Sequence, residues 1–309
     1  MNKVVVIGSI NIDMVSRMPV FPRIGETVIG NEFSMVPGGK GANQALAMAK
    51  LGMDVFIVGK IGNDFFGKKA LNLLVNNNVN VSNVEIEDST FTGIASIHVN
   101  KEGSNTIVVI PGANSRVTPD LVRKHKEQIR NADALILQLE IPLESVLEAI
   151  DIAYESGIQV ILNPAPACAL PDHIYRKVNV VIINDSETQA LTGYSTESQD
   201  SLTQAAQFFI NKGCNSVVFT LGENGAKYIN SGNMKLINVP PYLIDPVDTV
   251  AAGDAFVGGF TYAYLKDRSL EKAVQWGNAC GALASTKRGA QTSMPSLDEV
   301  LNFINLERV

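Results

Sequence analysis

Along the chain, short apolar runs alternate with stretches in which apolar positions recur at helical spacing. Val4–Ile7, Val55–Val58, Ala134–Leu137, Gln159–Leu162, Val178–Ile183 and Ser216–Thr220 read as buried strands. Between them, Lys40–Leu51, Phe65–Asn76, Pro119–Ile129, Leu143–Ser156 and Leu202–Lys212 carry the helical period. This alternation predicts an α/β fold, a largely parallel sheet with helices on both faces. Such sheets bind ligands beyond the carboxyl ends of their strands. After Thr249 the pattern turns mainly helical, through Asp254–Lys266, Leu270–Thr286 and Ser296–Ile304. Asp13–Val36 and Thr92–Val109 break the alternation with β-type residues, Gly and Pro, and no helix between them. They are expected to be extra strands outside the main sheet.

Composition narrows the class. With 46% apolar and 18% charged residues, the chain can bury a sizeable core. The 309 residues allow one large domain or two smaller ones, and no repeat, low-complexity tract or linker is visible. A net charge of −6 argues against a nucleic-acid or anionic-membrane surface. Any nucleotide site must then use local backbone donors and metal ions. Cys168, Cys214 and Cys280 share no C-x-x-C spacing and read as reduced thiols. No run reaches the ~18 apolar residues of a membrane span, and the Val4–Gly8 run is too short for a signal peptide. A cytoplasmic protein is expected.

Two stretches carry candidate chemistry. In Asp248-Thr249-Val250-Ala251-Ala252-Gly253-Asp254, small residues and an acid precede an apolar helical run. Amides of Ala252, Gly253 and Asp254 at that helix start form an anion site, and the small side chains admit a phosphate. A carboxylate beside such a site suits phosphoryl transfer, in which an acid orients the attacking hydroxyl and accepts its proton. Asp254 also suits a simple N-cap. The second stretch, Pro37-Gly38-Gly39-Lys40-Gly41-Ala42-Asn43-Gln44, is a glycine turn entering an alanine-rich helix that Gly52 ends. By itself it equally fits a tight packing turn.

Together the two stretches resemble the paired signatures of the phosphofructokinase-B-type carbohydrate kinase family. The first is Gly38-Gly39 followed by Asn43; the second is Asp248-Thr249 through Asp254. Further matches are Gly8-Ser9-Ile10-Asn11-Ile12-Asp13, Gly25-Glu26-Thr27, Gln138-Leu139-Glu140, Leu162-Asn163-Pro164-Ala165-Pro166, Thr220-Leu221-Gly222 and Gly289-Ala290-Gln291. They run in order from residue 4 to about residue 295 and are similar to the ribose-phosphorylating branch of the family. Val257 departs from the commonest pattern, where Asn often stands, a turn inside the helix.

The resemblance implies a single kinase domain over residues 1–309, a three-layer sandwich with a small β-sheet lid inserted at about 13–36 and 92–109. The lid covers the sugar and serves as a homodimer interface. It implies a ribose pocket of Asn11, Asp13, Gly39, Lys40, Asn43, Glu140 and Asp254, with Lys40 contacting through its backbone or its ammonium. Read without the resemblance, Asn11 and Asp13 also fit a turn-forming cluster. For ATP it implies Asn184, Glu187, Thr220, Gly222, Gly225, Gly253 and Asn278. Glu187 keeps Mg²⁺ on the phosphates, and Asn184 with Glu187 equally reads as a capping box. A helical Asn such as Asn278 is ordinarily polar surface. A K⁺ activator is implied at Asp248, Val250, Ala284, Lys287, Gly289 and Ser293, mostly through backbone oxygens.

The expected reaction is transfer of the γ-phosphoryl of MgATP to O5 of D-ribose. Asp254 acts as base, an anion hole spans Ala251, Ala252, Gly253 and Asp254, and the helix N-terminus keeps the acid ionised. A kinase for 2-deoxyribose, fructose or a nucleoside stays open, as does a non-catalytic sugar-binding regulator on the same fold. Gly62-Asn63-Asp64-Phe65-Phe66-Gly67-Lys68-Lys69 imitates a Walker loop but ends in Lys where Mg²⁺ needs a hydroxyl. The first strand lacks the glycine fingerprint of a dehydrogenase. His98, His125 and His173 show no metal-binding spacing.

Overall fold

Val4, Val5, Val6 and Ile7 are all fully buried, although successive side chains on a strand point to opposite faces. Both faces of that strand must therefore be covered. In the computed structural model, which describes residues 2–306, they are. The strands are β1 (Lys3–Ile7), β2 (Asn11–Arg17), β3 (Glu32–Gly38), β4 (Asp54–Gly62), β5 (Val79–Glu87), β6 (Gly93–Val99) and β7 (Asn105–Ile110). They continue with β8 (Ala134–Leu137), β9 (Gln159–Leu162), β10 (Val180–Ile183), β11 (Ser216–Thr220), β12 (Ala226–Asn230) and β13 (Ile237–Val239). Nine of them form one sheet in the order β13-β12-β11-β10-β9-β8-β1-β4-β5, parallel from β11 to β5 and antiparallel at the β12 and β13 edge.

The helices are α1 (Lys40–Lys50), α2 (Phe65–Asn76), α3 (Pro119–Lys124), α4 (Lys126–Arg130), α5 (Leu143–Glu155), α6 (Asp172–Tyr175), α7 (Asp185–Thr192), α8 (Gln199–Asn211), α9 (Ala252–Asp267), α10 (Leu270–Ser285) and α11 (Leu297–Leu306). Alternation along β1 sorts them into two layers. Val4 and Val6 join a core with Leu46, Leu74, Phe256 and Val274, so α1, α2, α9 and α10 cover that face. Val5 and Ile7 join the opposite core with Leu121, Val146, Ile174 and Phe209, from α3, α5, α6 and α8. Helices on both faces make the three layers.

The other four strands form a separate sheet, β3-β2-β6-β7. It contains the two stretches that broke the alternation, and it is mixed: β2 pairs parallel with β6, and both outer pairs are antiparallel. Elsewhere the structure refines the sequence reading. The stretch Pro119–Ile129 is two helices, because His125 leaves helical geometry (φ −104°, ψ 19°) with its side chain buried. β5 escaped notice because a register shift opposite Phe56 and Val58 disrupts its apolar alternation. The four-residue α6 is too short to show a period.

The layering brings the carboxyl ends of the parallel strands to one edge. Ser9, Gln138, Asn163, Asn184 and Thr220 lie there, and α1 and α9 begin above them. These two helices approach so closely that a Cβ on Gly258 would lie 2.5 Å from Cβ of Ala47. Gly258→Val should wedge α9 away from α1 and destabilise the protein by about 1–3 kcal/mol, the usual cost of overpacking. Urea unfolding measures it; a loss below about 0.5 kcal/mol would mean that the helices part without strain.

Candidate active site

Ala251 precedes α9 in the left-handed region (φ 62°), an uncommon conformation for a residue with a Cβ. It turns the chain so that the helix starts with Ala252, Gly253 and Asp254 facing one cavity. The Ala252 N–H donates to the Thr249 carbonyl (3.2 Å), so the expected trio of free amides reduces to Gly253 and Asp254. Among the described residues beyond its chain neighbours and its own helix backbone, no atom lies within 4 Å of where a Cβ on Gly253 would project, and Gly253 lines the cavity.

Asp254 is the third residue of α9 and is 7% exposed. Its Oδ2 accepts from Nδ2 of Asn43 (2.8 Å) and its Oδ1 from Nε2 of Gln44 (2.9 Å). It is therefore no simple N-cap. Nor does the helix terminus alone set its charge. Burial pushes the carboxyl pKa above the ordinary aspartate value, against the ammonium of Lys40 and the two amide donors, which hold it down. The expectation that this acid keeps an unperturbed pKa is corrected accordingly, because burial acts against the helix dipole.

Asn11 and Asp13 lie on β2, two residues apart, and both are buried. The Asn11 side-chain Oδ1 accepts from Nδ2 of Asn114 (2.6 Å), which fixes it in place of a turn. Gly39, at φ 89°, lets β3 run directly into α1. The Lys40 N–H then donates to Glu140 (3.1 Å), as does the Ser9 hydroxyl. Burial, then the neighbouring Glu140 and Asp254, raise the Asp13 carboxyl from 3.8 to about 7. For Lys40, burial lowers the pKa, but Asp254, Glu140, Glu187 and Asp13 outweigh it and hold the ammonium above its ordinary range. Its backbone N–H and its ammonium thus both face the acidic cluster.

Next to Lys40 and Asp254 opens a cavity of about 1040 Å³, whose lining includes Asn184, Glu187, Thr220, Gly222, Gly225, Gly253 and Asn278. Every residue assigned to the nucleotide by the resemblance lies on it, and Lys40 and Asp254 form its boundary with the acidic cluster. Asn184 and Glu187 form a full capping box on α7 (2.9 and 3.0 Å), which engages one carboxylate oxygen of Glu187 and leaves the other. Burial raises the pKa of Glu187 too. Asn278 is buried rather than surface, and its amide donates to the carbonyls of Val239 and Pro240, fixing the turn that carries Pro241 and Tyr242 into the cavity wall.

Three of the cation candidates, Asp248, Val250 and Gly289, are tied together. Asp248 accepts from the Val250 N–H and the Gly289 N–H (3.0 Å each), and the Lys287 N–H donates to the Ala284 carbonyl. The Lys287 ammonium points away, to Glu299. The Ser293 hydroxyl is buried and donates to Ala290. Among the described residues no group of three His, Cys, Asp or Glu side chains could hold a metal. The Walker imitation is a helix start: Asp64 caps α2 at the Gly67 N–H, and Lys69 donates to the Met35 carbonyl.

Sequence reasoning gave no role to Ser9, Gln44, Asn114, Gln138 or Asn163, all of which bond to site residues or to one another. Four of the five stand inside the motifs quoted above, and that adjacency was the available signal. Asn114 had none.

Known proteins show the same organisation. The chain is 38% identical over 299 residues to a ribokinase of Haemophilus influenzae, covering 97% of each chain. It is 35% identical over 304 residues to a deoxyribokinase of Salmonella typhi, covering 98% of this chain and 99% of that one. A solved ribokinase of Arabidopsis thaliana, complexed with ribose and ATP, superposes with a TM-score of 0.91 at 30% identity, over 98% and 99% of the two chains. Residues 1–297 match the model of the pfkB family carbohydrate kinases. With both family signatures folded around one buried aspartate, the chain belongs to the pfkB family of carbohydrate kinases.

Proposed function

We propose that the protein transfers the γ-phosphoryl group of ATP to O5 of D-ribose. The observation that carries this reading is the position of Asp254. It stands between the acidic, amide-lined cluster of Asn11, Asp13, Asn43 and Glu140 and the cavity next to the free amides of α9. Vicinal hydroxyls suit the first side, because a carboxylate accepts two hydrogen bonds at once. Phosphates suit the second, at the helix N-terminus. A hydroxyl held at Asp254 Oδ2 gives up its proton there as its oxygen bonds to the γ-phosphorus and the bond from that phosphorus to the β–γ bridging oxygen breaks, releasing ADP. The Gly253 and Asp254 amides stabilise charge on the transferring group, a contribution of about 3 kcal/mol per well-placed donor. The ribokinase of Arabidopsis with bound ribose and ATP supports the substrate pair. The Salmonella deoxyribokinase makes 2-deoxyribose the second reading.

Mg²⁺ would enter with ATP and neutralise phosphate charge, with Glu187's remaining carboxylate oxygen directed to its waters. K⁺ fits the loop of Asp248, Val250, Ala284, Lys287, Gly289 and Ser293, where neutral carbonyls predominate and Asp248 ties residues 250 and 289 together. A cation there braces the turn that positions Gly253. We further propose a homodimer through the small sheet, which exposes Phe33, Ile107 and Val108. A cytoplasmic setting fits three free cysteines and the lack of any helix, among the described residues, long and apolar enough to cross a membrane.

ADP release with MgATP and K⁺ should be fast on D-ribose, against 2-deoxyribose, fructose and adenosine. Asp254→Asn should lower kcat by roughly 10²–10⁴. A variant keeping more than a tenth of turnover would demote Asp254 to a structural acid. Replacing K⁺ by a large inert cation should slow turnover several-fold, and equal rates would remove the cation from the reading.

Asp13 sets a pH dependence. Its carboxyl rises from 3.8 unfolded to about 7 folded, so its favourable contribution to the fold is complete below 3.8 and lost as pH passes through 7. A rise of roughly three units at about 1.4 kcal/mol each gives an upper bound of about 4 kcal/mol. Asp13→Asn should therefore be more stable than wild type in urea at pH 8.5 and bind ribose more weakly, with little pH dependence near 7. Equal or lower stability at pH 8.5 would refute the raised acid.

A further inference from the structure

Gln44 and Gln138 are wholly shielded from solvent, and Gln44 uses every atom of its amide. Its Nε2 donates to Oδ1 of Asp254 (2.9 Å) and to Oδ1 of Asn163 (3.1 Å), while its Oε1 accepts from Nε2 of Gln138 (2.6 Å). A primary amide has two N–H groups at one end and an acceptor at the other, so its partners fix which end points where. Both partners on the Nε2 side demand donors. Ionised Asp254 only accepts, and Asn163 presents its oxygen because its own Nδ2 donates to the Ile182 carbonyl (2.9 Å). Gln138 must then present its N–H₂ end to Gln44. This strands Gln138 Oε1, buried and without a partner, against Gly8, where a Cβ would lie 2.2 Å from it.

Asn43 holds the other oxygen of Asp254 differently. Its Nδ2 donates to Oδ2, but its own Oδ1 is buried without a partner among the described residues, so none of them locks that amide. A hydroxyl reaching Oδ2 can displace Asn43 and cannot displace Gln44.

We infer that Gln44 and Gln138 are positioning residues for the transfer: Gln138 sets the direction of the Gln44 amide, and Gln44 pins Oδ1 of Asp254 so that Oδ2 faces the acceptor hydroxyl. The inference rests on the kinase reading for its rate effects, but its geometry does not. Asp254 is also faced by Lys40 from α1, Asp13 from β2, Glu140 after β8 and Glu187 from α7, all unchanged in the variants below.

The test compares wild type with Gln44→Met, Gln138→Met and Gln138→Glu in kcat, KM and pH profile, alongside a carbon-13 NMR titration of the Asp254 carboxyl. Gln44→Met should lose roughly 10–100-fold in kcat, the scale of a lost orienting group, with KM for ATP unchanged. Its acidic limb and the Asp254 titration should both move to higher pH, because a donor to the charged form is gone. Gln138→Met should fall several-fold. Gln138→Glu should fall further although it keeps the shape better, since a carboxylate draws Gln44 Nε2 to itself and turns Oε1 toward Asp254. A role in shape alone gives the reverse order. That order, or an Asp254 titration unmoved in Gln44→Met, overturns the inference. The Gln44→Met titration decides if Gln138→Glu fails to fold. Wild type inactive on every sugar would sink the kinase reading, while the titration would still judge the amide relay.

Discussion

Four carboxylates, Asp13, Glu140, Glu187 and Asp254, converge around one ammonium, that of Lys40. Their mutual repulsion in a partly dry site is the constraint on which the carboxyl edge of the sheet depends. Buried acids need donors, and cations are scarce here, so amides supply them. Asn43 and Gln44 serve Asp254, the Ser9 hydroxyl and Lys40 N–H serve Glu140, and the Asn184 N–H serves Glu187. The compensation is incomplete. Asp13 stays near 7 and Asp254 and Glu187 stay above their ordinary values. A site left short of positive charge is suited to polyhydroxyl donors on one side. On the other side, the amides of Gly253 and Asp254 at the start of α9 supply positive potential that a chain with a net charge of −6 otherwise lacks there.

Much of this architecture was legible in the sequence, for reasons specific to each element. Ala134–Leu137, Gln159–Leu162 and Ser216–Thr220 matched to the residue because strands buried on both faces must be apolar throughout. The edge strand β5 and the short antiparallel β12 and β13 carry mixed polarity, and the patterns do not separate them from loops. The residues that the resemblance assigned to the nucleotide line one cavity, several of them because glycines and caps follow the carboxyl ends of parallel strands.

What was not legible is instructive. The sequence puts Asp254 at a helix start, where a dipole argument keeps it charged. It does not show that helix sinking behind α1, where desolvation acts the other way. Gln44 and Gln138 are 94 residues apart, and although both stand inside quoted motifs, neither motif shows that their amides meet. Asn114 reaches Asn11 from a short turn 103 residues away. Long-range polar pairing of this kind depends on tertiary register, which local pattern does not encode.

The acids also belong to different parts of the molecule. Asn11 and Asp13 stand on β2 of the small sheet, whereas Asn43, Gln44 and Asp254 ride on α1 and α9, packed against the large one. The seam between them is a direct passage from β3 into α1 at Gly39, with no intervening loop to absorb a change in angle. Repulsion between Asp13 and Asp254 therefore acts across the seam, between two sheets, rather than within one rigid layer. Hydroxyl groups donating to both carboxylates would replace that repulsion with attraction through shared protons. The charge imbalance that makes the acids hard to ionise is thus relieved wherever hydroxyl donors bridge the two sheets.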